Sequence, residues 1–151
     1  MTQWAGANGL ELRSRVRLAR VRPASDHEAR VLRIARRAPV FELECVRIVD
    51  GVPLSLDRST LVLDYAPFLP EVSFEDTSLY GVLLGRAGIA PASNECTIRA
   101  AAADARVAKV LQISTGSPVL VMDELVSDQS GRPFELARLT NRGDVYGYRT
   151  T

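Results

Sequence analysis

Few side chains in this sequence have types and spacings suited to chemistry. One histidine, His27, and two cysteines, Cys45 and Cys96, are the whole stock of imidazole and thiol groups. A zinc centre ordinarily takes four nitrogen or sulfur ligands, so three widely spaced donors do not supply one. His27 sits in the charged stretch Ser25-Asp26-His27-Glu28, the pattern of a helix start. With that single histidine neither a Ser-His-Asp nor a Cys-His nucleophile is assembled. Both cysteines fall at apolar positions of strand-like runs and are expected to be buried, reduced thiols. No metal and no cofactor is expected.

What remains is charge at defined positions. Residues 40–49 and 52–63 read as two strands around Asp50-Gly51, the pair that suits a two-residue type I′ hairpin turn. A regular hairpin then pairs Val49 with Val52, Arg47 with Leu54, Cys45 with Leu56 and Leu43 with Arg58. Alternation puts Phe41, Leu43, Cys45, Arg47 and Val49 on one face with Leu54, Leu56, Arg58, Thr60 and Val62. The other face shows Glu42, Glu44, Ser55, Asp57 and Ser59. Arg47 and Arg58 thus fall on the apolar side, where an unpaired charge is costly. Either each has a buried acidic partner, or both point into a cavity that takes an anion.

The elements that must position these residues follow from periodicity. Residues 11–21 alternate as a half-buried strand ended by Pro23. Ser25-x-x-Glu28 is a capping box opening a short helix with Val31, Ile34 and Ala35 on one side. Residues 64–76 read as a loop. Thr77 or Ser78 caps a helix carrying Leu79, Val82, Leu83 and Arg86, and Gly88 stops it. Residues 94–101 read as a strand, Asp104 caps a third helix with Val107, Val110 and Leu111, and 119–127 with 133–141 form a second hairpin. Six or so strands, mostly hairpin-joined, with three short helices imply an α+β class: an antiparallel sheet with helices against it. The two hairpins share only their alternation, so no internal repeat is expected.

Composition sets the bounds. A chain of 151 residues, 46% hydrophobic and 25% charged, predicts one domain large enough to need no disulfide staple. No apolar run approaches the ~20 residues a spanning helix requires, and no secretion signal is apparent at Met1. No membrane partner and a cytoplasmic location are expected. Net charge is +1, but residues 1–37 hold nine arginines against three acids. The arginines are not interleaved with aromatic residues, which argues against a base-stacking platform, so this stretch is read as a solvated face.

Several blocks together resemble the UTRA domain, the effector-binding domain of GntR-type transcription regulators of the HutC subgroup. Arg47-Ile48-Val49-Asp50-Gly51-Val52-Pro53 with Leu56-Asp57-Arg58-Ser59 is similar to the family's first hairpin. Ser78-Leu79-Tyr80 resembles a helix start of the family. Glu95-Cys96-Thr97-Ile98 with Ala102-Ala103-Asp104-Ala105 resembles a later segment. So do Leu111 through Pro118 with Leu120, Gly131-Arg132-Pro133-Phe134-Glu135, and Arg142-Gly143-Asp144 with Tyr146 and Tyr148. The blocks run in order over roughly residues 10–150.

The resemblance implies a chorismate-lyase-like fold, a homodimer, and a non-catalytic sensor of a small anionic metabolite, such as a sugar phosphate or a carboxylate. Operator DNA would be a partner only through a separate winged helix-turn-helix domain, expected to be absent from this chain, so that residues 1–151 form one effector-binding and dimerisation domain. It further implies a ligand site of Arg47, Arg58, Ser78, Tyr80, Glu95, Glu135 and Tyr146. Many relatives carry a second arginine where Cys45 stands. The same fold serves chorismate pyruvate-lyase, so a small lyase acting on a carboxylated substrate is the alternative; release of pyruvate from chorismate would discriminate.

Overall fold

The computed structural model describes residues 11–145 and Gly147. Six strands and three α-helices follow in the order β1 (Leu12–Pro23), α1 (Asp26–Leu32), β2 (Pro39–Val49), β3 (Val52–Val62), α2 (Leu79–Ala87), β4 (Pro91–Ala102), α3 (Ala105–Leu111), β5 (Pro118–Asp128) and β6 (Pro133–Arg142). The strands form one antiparallel sheet in the order β1-β2-β3-β6-β5-β4. The α+β reading and the expected elements are borne out, with ends displaced by a few residues.

The caps are those the sequence marks. Ser25 accepts from the Glu28 amide while the Glu28 carboxylate accepts from the Ser25 amide. The Ser78 and Asp104 side chains accept from the Gly81 and Val107 amides to cap α2 and α3, without a returning bond, and Gly88 ends α2 in the left-handed region.

Both sheet faces are covered. On the front, Phe41, Leu43, Cys45, Leu61 and Val126 pack under α2 and the segment between β3 and α2, through Leu69, Phe74 and Leu83. On the back, Val46, Leu56, Val119 and Val121 pack against Ala108 and Leu111 of α3, and Val40 packs against Ala29 of α1. β4 is the exception. It forms one edge of the sheet, and its residues are exposed or half-exposed throughout. Cys96 lies there and is exposed, against the expectation of a buried thiol; Cys45 is buried as expected.

The first hairpin departs from the regular register. Val49 pairs with Val52 and Ile48 with Pro53, but Arg47 pairs with Ser55 and Glu44 with Arg58. Leu54 is an extra residue, a β-bulge. Pro53 has no amide to give to the ladder, and bulges are where strands accommodate proline. Because side-chain period is two, one inserted residue turns over everything beyond it. Ser55, Asp57 and Ser59 therefore join Arg47 and Cys45 on the front, and Arg58 joins Glu42 and Glu44 on the back.

A repeat is present, contrary to expectation. The starts of β1, α1 and β2 (12, 26 and 39) correspond to those of β4, α3 and β5 (91, 105 and 118), a constant shift of 79 residues. Ala24, Ala29, Val31, Leu32, Ile34, Pro39 and Val40 recur as Ala103, Ala108, Val110, Leu111, Ile113, Pro118 and Val119. Backbone bonds recur too: Ile34 to Ala29 and Ile113 to Ala108, both at 3.0 Å. Arg33 and Gln112 share a left-handed C-cap, at φ 56° and 57°. The sheet is thus two βαββ units related by a pseudo-twofold between β3 and β6.

Candidate functional site

On the front face the sheet presents polar side chains where a core strand would present carbon. Arg47 of β2 donates from Nε to Asp57 Oδ2 at 2.9 Å. Beside this pair, Ser55 Oγ, Asp57 Oδ1 and Asn141 Oδ1 are buried with no hydrogen-bond partner among the described residues. Buried polar atoms are nearly always satisfied, so this cluster has unused capacity to bind. It is roofed by the start of α2: Thr77 and Leu79, with Phe74, close a cavity of about 20 Å³ over Ser14, Cys45, Arg47, Asp57 and Ser59. That space holds about one water molecule.

Glu135 of β6 lies on the same face and is 1% exposed. The Tyr80 hydroxyl of α2 donates to its Oε1 at 2.5 Å, and the Tyr80 ring packs edge-on against Phe134. Burial pushes the Glu135 carboxyl above its ordinary value; hydrogen bonds from Tyr80 and Ser59 oppose the rise, and the charges of Glu124 and Asp57 add to it. Glu124 of β5 is raised chiefly by burial as well. Burial and the nearby Glu135 push the Tyr80 phenol upward, so it stays a donor. The Cys45 thiol is also raised, mainly by burial. The front site therefore combines one guanidinium with three clustered carboxyls, two of which, Glu135 and Glu124, are raised chiefly by burial.

Of the expected ligand residues, Arg47, Tyr80 and Glu135 lie at this front site, and Ser78 stands exposed at the start of α2 between Thr77 and Leu79, which line its cavity. The Ser78 hydroxyl accepts from the Gly81 amide as the helix cap. Arg58 is a correction: the Leu54 bulge places it on the back, where it reaches Glu44 at 3.3 Å and Glu42 at 3.7 Å. Glu95 lies apart from the front site, on the edge strand β4, where it lines a back-face cavity together with Arg58. Tyr146 lies outside the described residues. Asp57, Ser59 and Glu124 were missed. The signal for the first two was Pro53, which marks the bulge that brings them forward; Glu124 carried none.

The back face holds a cavity of about 520 Å³ beneath α1, lined by Glu28, Arg58, Glu95, Asp123 and Arg138 among others. The arginines of β1 are mostly paired: Arg13 with Asp76, Arg17 with Glu44, and Arg20 and Arg22 with Glu42. This agrees with a structural face rather than a nucleic-acid surface.

The model of the UTRA domain matches residues 7–147. The chain belongs to the UTRA domain family. It is 34% identical over 116 residues to the HTH-type transcriptional repressor PhnF of Mycolicibacterium smegmatis, covering 77% of this chain and 47% of that protein. It is 25% identical over 125 residues to the HTH-type transcriptional repressor NagR of Bacillus subtilis, covering 83% and 51%. The UTRA chain thus spans about half the length of the curated relatives it matches. The crystal structure of the effector domain of PhnF from Mycobacterium smegmatis matches with a TM-score of 0.93 at 31% identity, over 99% of this chain and 92% of that one. The ligand-binding domain of a GntR-family regulator from Bordetella bronchiseptica shares the fold, with a TM-score of 0.83 at 23% identity, over 93% and 88%. PhnF and NagR are named as transcriptional repressors, and these matches support a regulatory effector domain.

Proposed function

We propose that this UTRA domain senses a small anionic metabolite at the front site and passes its occupancy to a separate DNA-binding domain of a GntR-type regulator of the HutC subgroup, in the cytoplasm. The observation that carries this reading is the convergence of Arg47, Asp57, Tyr80 and Glu135 beneath α2, next to buried polar atoms that lack partners. Arg47 meets the anionic group, a carboxylate or a phosphate, while Glu135 and Glu124 meet hydroxyl or amino groups. Ser78, at the start of α2, adds a hydroxyl beside amides that favour an anion. With Cys45 where many relatives have a second arginine, the anion is smaller or less charged than theirs.

The cavity over Arg47 is too small for a metabolite. Binding therefore replaces the Arg47–Asp57 and Tyr80–Glu135 bonds and displaces α2 with the segment before it. A ligand shifts such an equilibrium only by its differential affinity for the open form, and here that difference is the set of bonds exchanged.

A twofold dimer goes with this role, since symmetric operators are read by symmetric proteins, and the unpaired edge of β4 is a surface a second copy can cover. Light scattering at micromolar concentration tests it; a monomer mass contradicts it.

The test of sensing is thermal stability against a panel of sugar phosphates, amino-acid catabolites and small dicarboxylates. A ligand at ~100 times its Kd adds about 2.7 kcal/mol. The shift is expected to vanish in Arg47→Ala and to persist in Arg58→Ala. Chemical conversion of the ligand during incubation would overturn the sensor reading in favour of catalysis.

A further inference from the structure

Arg58 of β3 and Arg138 of β6 are direct cross-strand neighbours on the back face. Like charges so placed repel, and each guanidinium is drawn away to an acid on its other side. Arg58 reaches Glu44 at 3.3 Å, and Arg138 grips Asp123 at 2.6 and 3.2 Å. The acids are oversubscribed. Glu44, 1% exposed, is shared by Arg58, by Arg106 of α3 and by Arg17 at 3.7 Å. Asp123 also holds Arg99 of β4 at 3.6 Å. Arg58 also reaches Glu42 at 3.7 Å, and Glu42 is itself shared with Arg20 and Arg22, so the guanidiniums of this network outnumber its carboxylates.

That surplus lines empty space. A cavity of about 240 Å³ is lined by four arginines, Arg58, Arg99, Arg106 and Arg138, against the acids Glu44 and Asp104, among apolar residues of α3 and β5. It adjoins the larger cavity beneath α1, with Arg58 and Arg138 lining both. The four guanidinium heads are about half exposed, which leaves donors free on each. A closed ion-pair network would match its charges and fill its volume; this one does neither.

We propose that the trough between Arg58, Arg99, Arg106 and Arg138 is a second anion site, separate from the front site, for a multiply charged oxyanion. Guanidinium forks match the geometry of such oxygens and bind them in pairs of parallel hydrogen bonds. Bound there, the anion relieves the Arg58–Arg138 repulsion and ties β3, β6 and β4 to α3. It joins the two pseudo-symmetric halves across their boundary.

Inorganic phosphate is the probe, titrated into ¹⁵N-labelled protein with chloride exchanged to hold ionic strength constant. Saturable shifts of the Nε–Hε signals of Arg58, Arg99, Arg106 and Arg138 are expected. The double variant Arg99→Gln/Arg138→Gln should weaken binding at least about tenfold, and Arg36→Gln, at an exposed arginine lining neither cavity, should leave it unchanged. Arg99→Gln alone, a milder change at the edge strand, serves if the double variant fails to fold. The proposal is overturned by phosphate shifts that never saturate, by shifts confined to Arg47 and the start of α2, or by undiminished affinity in the folded variants.

Discussion

The Tyr80 hydroxyl and the Glu135 carboxyl meet at 2.5 Å across the interface between α2 and the sheet. Glu135 has no route to water at 1% exposure, so Tyr80 supplies a donor that solvent cannot replace. Tyr80→Phe keeps the ring against Phe134 and removes only that donor. Ser59 still bonds the carboxyl, so the loss is that of one hydrogen bond to a buried group, about 1 kcal/mol. The variant should unfold at lower urea concentration with an unchanged m-value, and α2 should lift more readily from the sheet. A midpoint equal to that of the parent protein would show that the bond does not hold α2 down.

Glu135 also sets a pH dependence. Its carboxyl is raised in the folded chain, chiefly by burial. As pH climbs past the ordinary value of 4.5, the unfolded chain releases this proton first. The folded state then binds more protons than the unfolded state, so stability falls with rising pH until the folded carboxyl also ionises. Glu124, raised by burial, adds the same sign. Glu28 acts oppositely: its hydrogen bonds to Arg22 lower it to about 2, so its contribution is complete above 4.5 and disappears as pH falls through 2. Glu135→Gln removes only the first effect. Unfolding free energies of the two proteins measured from pH 4 upward should diverge, with the variant gaining as pH rises until the folded carboxyl ionises; parallel curves would show that burial does not raise Glu135.

The placement of Glu135 was legible in the sequence, and that of Arg58 was not, for a reason of one residue. Alternation within a strand is local, and Asp50-Gly51 announces the turn. Which face a side chain takes beyond the turn depends on whether the strand is interrupted. Pro53 was visible, but a proline beside a turn is compatible with either a regular or a bulged ladder. The cost of a missing amide decides between them only once β6 is known to pair on the other side of β3. The repeat escaped for a related reason. It is written in caps, C-caps and small buried residues such as Ala29 and Ala108, whereas the second hairpin loop is longer and its strands differ in sequence. Cys96 was misplaced because alternation shows which residues share a face, and β4 has neither face covered.

That exposure gives a simple check. Cys96 is open on β4 while Cys45 is buried against Leu43 and Phe74. Burial, together with Glu124 and Asp123, pushes the Cys96 thiol upward, so reaction is slow at neutral pH and speeds as pH rises. A thiol reagent should consume one equivalent per native chain and two after denaturation, and the Cys96→Ser protein should consume none until unfolded. Two native equivalents would mean that the roof over Cys45 opens on the timescale of the reaction.

The pseudo-twofold makes a sharper prediction at the helix caps. Ser25 and Asp104 occupy equivalent positions before α1 and α3, and each side chain accepts from the amide three residues on, at 3.1 and 2.8 Å. Removing a cap costs about 1 kcal/mol, so equal losses would follow if the halves were alike in detail. They are not. Glu28 returns a bond to the Ser25 amide and grips Arg22 through both oxygens at 2.7 Å, whereas Val107 at the matching place in α3 gives nothing back. In Ser25→Ala the box and its ion pair still hold the start of α1, which limits the loss. In Asp104→Ala the first-turn amides of α3 keep no side-chain acceptor among the described residues. Asp104→Ala should therefore destabilise more than Ser25→Ala, and Glu28→Ala should add to the Ser25 loss in a non-additive way. A double-mutant cycle by urea denaturation reads this directly; a coupling of zero between Ser25 and Glu28 would refute it.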